Sequence, residues 1–146
     1  FTVEAHVFVA GRPTPRELRA VAEHIATGAL ERGRFGLLWL GFYDYREFAL
    51  HGGVTLGSMT CRVSRERTPS CGEPAVTGFD SAFPRKDWRR QPTPFEVRVW
   101  AAWVQLPTSA TKSTATVSRE FGLTPAAVRS IIDRCSAWQT PSGLVE

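Results

Sequence analysis

The sequence predicts an α+β protein: a β-α-β-β sheet layer with one covering helix, followed by a C-terminal unit of three helices. Three observations lead to this prediction. Apolar residues alternate with others from Thr2 to Val9, as in a half-buried strand. A helical apolar period follows, and then an apolar run, Phe35 to Tyr43, that suits a buried strand. The last third, Phe95 to Trp138, divides into three short segments of helical pattern.

The first helix is predicted from its capping residues. Thr14 can cap it, Pro15 stands at its first position, and Glu17 can return a hydrogen bond to the Thr14 backbone. Gly33 is placed to end it. Its predicted apolar face consists of residues at helical spacing: Leu18, Val21, Ala22, Ile25 and Ala29.

The strands after this helix follow from their apolar runs. Phe35 to Tyr43 is apolar on both faces, so we expect it at the centre of the sheet. Residues 44–50 fit a turn or a short helix. Val54 to Val63 is predicted as the third strand, and a fourth short strand fits Ala75 to Phe79.

These elements divide the chain into three parts. Residues 1–63 form the β-α-β-β domain, and residues 64–92, rich in Arg, Pro, Ser and Gly, form an irregular basic connection. Residues 93–146 form the three-helix tail, which either packs on the sheet or is appended to it. Within the tail, Thr93 to Glu96 repeats the capping signals of the first helix.

Residues 116–132 of the tail fit a helix-turn-helix. Gly122 stands at the turn, where a left-handed residue is needed, and Ser118 takes the usual small position on the first helix. The side chains expected to hold the two helices together are apolar: Val117, Phe121, Leu123, Val128 and Ile131.

A helix-turn-helix either reads DNA or serves as a packing unit, and the sequence leaves both open. If the second helix enters a major groove, Thr124, Arg129 and Ser130 are the candidate DNA contacts, with Arg129 suited to guanine. Asp133 would repel phosphate, and no cluster of Lys or Arg flanks these helices within the tail. The sequence alone therefore favours weak or absent DNA binding.

The densest basic stretch, Arg85 to Arg90, offers a second candidate site. Trp88 lies within it as a candidate interface anchor, with Arg89 and Arg90 as a polar rim. The chain has five Trp and nine Phe, more than small layers bury easily, and such aromatics concentrate at interfaces. Trp88 could instead pin the stretch onto its own domain.

No pattern in the sequence indicates catalysis or a cofactor. The three histidines, His6, His24 and His51, show no metal-ligand spacing with one another or with Cys. Glycine-flanked nucleophile and phosphate-loop motifs are absent. We therefore predict a non-enzymatic protein without metal or cofactor.

Charge, cysteines and the first residue bear on the compartment. The net charge of +4 permits nucleic acid, an acidic protein or an anionic surface, and no apolar run approaches the roughly 18 residues of a membrane span. Cys61 and Cys71 are the natural disulfide pair in an oxidising compartment, whereas a cytosolic protein would keep them reduced. Phe1 suits the start of a processed exported protein, and equally that of a trimmed chain.

Residues 1–63 resemble a small uncharacterised bacterial domain found in exported proteins and lipoproteins. The residues that support the resemblance are Glu17 to Ile25, Leu38 to Tyr43 and Gly53 to Gly57. The resemblance implies no activity and no site residue, but it implies export to the periplasm, envelope or exterior.

From these observations we expect a non-enzymatic, exported accessory subunit that binds a protein partner in a cell-envelope assembly. The alternative is a cytoplasmic DNA-binding protein that uses the tail.

Overall fold

The computed structural model describes residues 2–32, 36–67, 74–107 and 114–139. Within these ranges the order of elements is β1 (Thr2–Phe8), α1 (Pro15–Arg32), β2 (Leu37–Tyr43), α2 (Arg46–His51), β3 (Gly57–Arg67), β4 (Pro74–Ala82), a 3-10 turn (Trp88–Arg90), α3 (Pro94–Val104), α4 (Thr114–Phe121) and α5 (Pro125–Trp138). The α+β class predicted from the sequence is confirmed.

The strands form one sheet in the order β1-β2-β3-β4. β1 and β2 run parallel, from Thr2 opposite Leu37 to Phe8 opposite Tyr43, and α1 connects them. The β2–β3 and β3–β4 pairs are antiparallel. β2 is therefore an interior strand, as its apolar character on both faces predicted.

Helix α1 covers one face of the sheet, although its buried stripe differs slightly from the predicted one. Leu18, Ala22 and Ala26 are buried against the strands, and Ile25 and Ala29 pack beside them. Val21, predicted on this face, is 43% exposed. The reason is angular, because the buried stripe is centred on Ala22 and Val21 points about 100° away from that centre.

The β3–β4 hairpin is longer than predicted and is shifted along the chain. β3 begins at Gly57 instead of Val54, and Gly57 has φ +135°, which interrupts the extended backbone at that point. β3 continues to Arg67, so the predicted boundary at residue 63 falls inside this strand. The short strand predicted at residues 75–79 is confirmed, and pairing with β3 extends it at both ends.

The buried side chains form two clusters. The α1–sheet cluster contains Leu18, Ala22, Ala26, Leu38, Leu40, Phe42, Leu56, Met59, Cys61 and Phe83. The helical cluster joins α2, α3, α4 and α5 to the end of β2 and contains Tyr43, Phe48, Val97, Val99, Trp100, Ala101, Val117, Val128, Ile131, Ile132, Cys135 and Trp138. Trp88, which is partly buried, packs against both. The tail thus packs against the end of β2 and against α2.

Candidate functional site

The turn between α4 and α5 has the geometry that the sequence predicted. Gly122 has φ +65°, and the Leu123 N–H donates to the Ser118 carbonyl at 3.0 Å, which closes the end of α4 in a Schellman-type arrangement. Thr124 then caps α5, because its Oγ1 accepts a hydrogen bond from the Ala127 N–H at 3.2 Å. Pro125 follows at the first helical position.

The inward faces of α4 and α5 pack as a helix-turn-helix requires. Val117, Val128 and Ile131 are buried in the helical cluster, and Phe121 and Leu123 pack partly buried beside them. Ser118, in the small position, is 7% exposed, and its Oγ has no hydrogen-bond partner among the described residues. This position needs a small side chain, and the Ser118 hydroxyl adds no hydrogen bond to described residues.

The outward face of α5 is exposed. The three candidate DNA contacts, Thr124, Arg129 and Ser130, all lie on solvent-exposed positions, as does Asp133. The Thr124 hydroxyl is already engaged in capping the helix. Arg129 and Ser130 are therefore the side chains of this set best placed to contact another molecule.

The basic stretch lies against the C-terminal half of α5, which the sequence did not predict. Between them is a groove of about 510 Å³, which we call the basic groove. Its lining residues are Arg85, Lys86, Asp87, Arg89, Arg90, Asp133, Arg134, Ala137 and Trp138. Five of these side chains are basic and two are acidic. The predicted polar rim of Trp88 and the predicted second helix of the helix-turn-helix are thus parts of one surface.

Lys86 anchors the stretch to α5. Its Nζ donates to the Trp138 carbonyl and lies 4.4 Å from the centre of the Trp138 ring. Burial lowers the pKa of Lys86, and the charge of Asp44 opposes this shift. Trp88 contacts the same ring, with 5.6 Å between ring centres. Because Trp88 packs within its own chain, the contacts support the pinning role and leave Arg89 and Arg90 as the exposed part of the predicted interface.

Asp87 organises the exposed arginines. It caps the 3-10 turn by accepting a hydrogen bond from the Arg89 N–H at 3.2 Å. The same carboxylate accepts from Arg89 Nε at 3.1 Å and lies 3.7 Å from Arg90 Nε. The hydrogen bond from the Arg89 side chain lowers the pKa of Asp87. Both arginine side chains are more than four-fifths exposed, so one carboxylate holds two guanidinium groups that still face solvent.

Asp44, directly after β2, connects three segments: the residues before β3, the residue after the basic stretch, and α5. Its Oδ2 accepts hydrogen bonds from Trp138 Nε1 at 2.8 Å and from Gln91 Nε2 at 3.0 Å, and its Oδ1 accepts from Thr55 Oγ1 at 2.8 Å. The sequence places Asp44 in residues 44–50, which fit a turn or a short helix. Its three partners come from distant positions, so no local pattern could have identified them.

A second group of side chains lies on the sheet face opposite α1. His6 contacts Trp39 and Tyr43, with 5.8 and 5.4 Å between ring centres, and its Nδ1 lies 3.0 Å from the Tyr43 hydroxyl. Phe8 adjoins Tyr43, and the Arg46 guanidinium lies over the Phe8 ring, 5.7 Å from the ring centre. Phe8 is 48% exposed and His6 is also exposed. We call this group the aromatic row.

The cysteines and histidines form no metal site among the described residues. Cys61 and Cys135 are buried thiols, and burial raises the pKa of each. Cys71 lies outside the described residues, so the Cys61–Cys71 bridge stays a prediction. Within the same part of the chain, no group of three or more His, Cys, Asp or Glu side chains could hold a metal ion. No described helix has both the length and the apolar character needed to cross a membrane.

Comparisons with models of protein families, with curated proteins and with solved structures find no match to this chain. The resemblance of residues 1–63 to a domain of exported proteins therefore remains a hypothesis.

Proposed function

We propose that this chain is a non-enzymatic protein that binds double-stranded DNA, with α5 entering the major groove and α4 supporting it. The observation that carries the proposal is the α4–α5 pair itself. Its turn at Gly122 fixes the angle between two helices whose inward faces are buried, while the outward face of α5 is uncovered. A helix held in this way is the element that helix-turn-helix proteins insert into DNA.

The position of the basic groove removes the main objection to DNA binding. In the sequence, no cluster of Lys or Arg within residues 93–146 offsets the negative charge of Asp133. In the fold, Asp133 lines the same groove as Arg85, Arg89 and Arg90. Five basic side chains line this groove with two acidic ones, Asp87 and Asp133, so its net charge is positive and favours a polyanion.

Arg129 is the side chain proposed to read a base. It is exposed in the N-terminal half of α5, the part of a recognition helix that contacts base edges. A guanidinium group matches the O6 and N7 acceptors of guanine in the major groove. We therefore expect the preferred site to contain guanine at the position that Arg129 contacts.

The test is a fluorescence-anisotropy titration of labelled genomic duplexes at near-physiological salt. We expect submicromolar binding that weakens with salt. Arg129→Ala should lose about 1–3 kcal/mol on the best duplex, which is roughly 5- to 150-fold. Arg16→Ala, which removes an exposed arginine from α1, is the matched control and should bind as the unchanged protein does. Absent binding by the unchanged protein, or equal binding by Arg129→Ala, would overturn the proposal.

The aromatic row supports a second candidate function. Under it the chain is an exported, protein-binding accessory subunit of a cell-envelope assembly, and α4 and α5 only pack. Partly exposed aromatic side chains on one face of a sheet are typical of interface cores. This function excludes the first, because an exported protein does not meet chromosomal DNA.

Sedimentation of the protein from its native source separates the two functions. A subunit of an envelope assembly should fractionate outside the cytoplasm and sediment as a large species that nuclease leaves intact. Phe8→Asp should then release a monomer, whereas Leu50→Asp, at a residue 74% exposed on α2, should not. A cytoplasmic monomer would count against this second function.

A further inference from the structure

We propose that the basic groove is a binding site for the sugar-phosphate backbone of the DNA that α5 contacts. The inference rests on the proposed function and adds a second contact surface to it. α5 would supply the base contacts through Arg129. The stretch from Arg85 to Arg90, which belongs to another part of the chain, would supply the phosphate contacts.

The exposed basic side chains of the groove fit phosphate in number and in placement. Lys86 is turned inward onto Trp138, and Arg134 forms an ion pair with Glu96 at 3.3 Å. Arg85, Arg89 and Arg90 remain on the solvent side of the groove. Arg89 and Arg90 share the Asp87 carboxylate, but their side chains are 91% and 83% exposed. Arginine binds phosphate through planar, paired N–H groups, and it is less strongly hydrated than lysine. The groove therefore presents the side chain that phosphate recognition favours.

The length of α5 also fits the width of the major groove of DNA. Ser130 and Ala137 lie two turns apart on the outward face, which is about 10 Å at 1.5 Å per residue. The major groove of B-DNA is about 12 Å wide, and phosphates border it on both sides. A helix whose N-terminal half contacts bases therefore carries its C-terminal half to the edge of the groove. Ala137 and Asp133 line the basic groove at that end.

The groove is held in place before any ligand binds. Lys86 and Trp88 fix the stretch to Trp138, and Asp44 holds Trp138 Nε1 at 2.8 Å. Asp87 holds Arg89 through two side-chain hydrogen bonds at 3.1 and 3.3 Å. Arginines positioned in this way lose less conformational entropy on binding than flexible ones. The same contacts explain why a short charged stretch packs closely on its own chain.

The experiment measures the salt dependence of binding. Each phosphate contact contributes about 0.9 to the slope of log K against log salt concentration. The double variant Arg85→Gln and Arg90→Gln should therefore lower the slope by about 1.8 on labelled duplexes of about 30 base pairs, between about 50 and 200 mM salt. The affinity loss should be equal on guanine-containing and guanine-free duplexes. The control pair, Arg16→Gln and Arg19→Gln, removes the same charge from exposed positions on α1.

The outcomes separate this inference from the proposed function. If the groove variant lowers the slope and the control does not, the inference is supported. A slope equal to that of the unchanged protein, with binding still sensitive to Arg129→Ala, would overturn the groove and leave the α5 proposal standing. An equal loss of slope in the control would show only the effect of net charge and would overturn the groove. Absent binding by the unchanged protein would overturn both.

Discussion

The two buried clusters differ in how their parts are held together. The α1–sheet cluster is mainly aliphatic, and its strands are aligned by backbone hydrogen bonds. The helical cluster is rich in aromatic rings, among them Phe48 and Trp100 with 4.7 Å between ring centres. Asp44, a partly buried carboxylate, hydrogen-bonds Trp138 of the helical cluster and also Thr55, the residue before Leu56 of the α1–sheet cluster.

This difference shows what an apolar pattern can and cannot specify. Burial is non-directional and follows the period of apolar residues, so it indicates which face of an element is covered. A hydrogen bond between side chains depends on direction and on the arrangement of distant segments. The candidate site lies on the helical cluster, whose arrangement depends both on burial and on side-chain hydrogen bonds.

The largest expected effect comes from removing an aromatic side chain from the helical cluster. Phe48 is fully buried and packs against the Trp100 ring in a tilted arrangement. Phe48→Ala should lower the free energy of unfolding by about 3–5 kcal/mol, since it leaves a cavity. Leu50→Ala, on the same helix at 74% exposure, should change it by less than about 0.5 kcal/mol.

Urea unfolding followed by tryptophan fluorescence and by far-ultraviolet circular dichroism measures this effect. Coincident curves for Phe48→Ala would show that the two clusters still unfold as one unit. Separate curves would show that the helical cluster unfolds independently. Equal stability of Phe48→Ala and Leu50→Ala would contradict the packing described here.

The next effect concerns the connection between the clusters. Asp44→Ala removes the acceptor for Trp138 Nε1, Gln91 Nε2 and Thr55 Oγ1, and we expect a loss of about 2–3 kcal/mol. Asp44→Asn, which keeps one carbonyl oxygen, should recover part of it. Glu47→Ala, three residues away, is the matched control. Chemical denaturation measures all three, and a loss for Glu47→Ala as large as for Asp44→Ala would refute the connecting role of Asp44.

A smaller effect is expected from two glycines with positive φ, one near each cluster. Gly122 has φ +65° and Gly11 has φ +82°, and an added Cβ would meet nothing within 4 Å at either position. Replacement by Ala should cost about 1–2 kcal/mol at both, because only the backbone conformation is strained. Thermal unfolding checks this cost.

The two glycine variants separate function from stability. Gly122→Ala should also weaken DNA binding, because it alters the angle between α4 and α5, whereas Gly11→Ala should not. Equal DNA binding by the two variants would argue that the turn at Gly122 serves packing alone.

The sequence predicted the fold well wherever a local signal was sufficient. The capping box of α3 is present, because Thr93 and Glu96 are three residues apart and need no distant partner. The turn at Gly122 was predicted for the same reason. The interior position of β2 followed from its apolar run.

The sequence predicted separate parts of the site but not how they pack together. Arg129 and the Arg85–Arg90 stretch were both identified, but the sequence did not predict that the stretch packs against the C-terminal half of α5. That packing involves Asp44 and Trp138, which are 94 positions apart. The bounds of β3 were shifted for a related reason, since pairing with β4 extends a strand whose own residues are largely polar.

The smallest effect at neutral pH concerns the buried thiol of Cys135. Burial, followed by the negative charge of Glu96, raises the pKa of Cys135 from 9.0 to about 12. The folded state therefore keeps this thiol protonated at pH values where the unfolded chain ionises it. Its contribution to stability is fully present below about pH 9 and is lost as the pH rises toward about 12.

Urea denaturation at a series of pH values checks this sign. Stability should fall between about pH 9 and 12, and it should fall less steeply in Cys135→Ala, which has no thiol to ionise. Cys61, Tyr43 and Tyr45, whose pKa values burial also raises, leave a residual slope in both proteins. Equal slopes would contradict the assignment to Cys135.

Thiol titration of the urea-unfolded protein without reductant counts the free thiols, and this count separates the two functions. All three cysteines should react if the chain is a cytoplasmic DNA-binding protein, and Cys135 alone should react if Cys61 and Cys71 are bridged in an exported one.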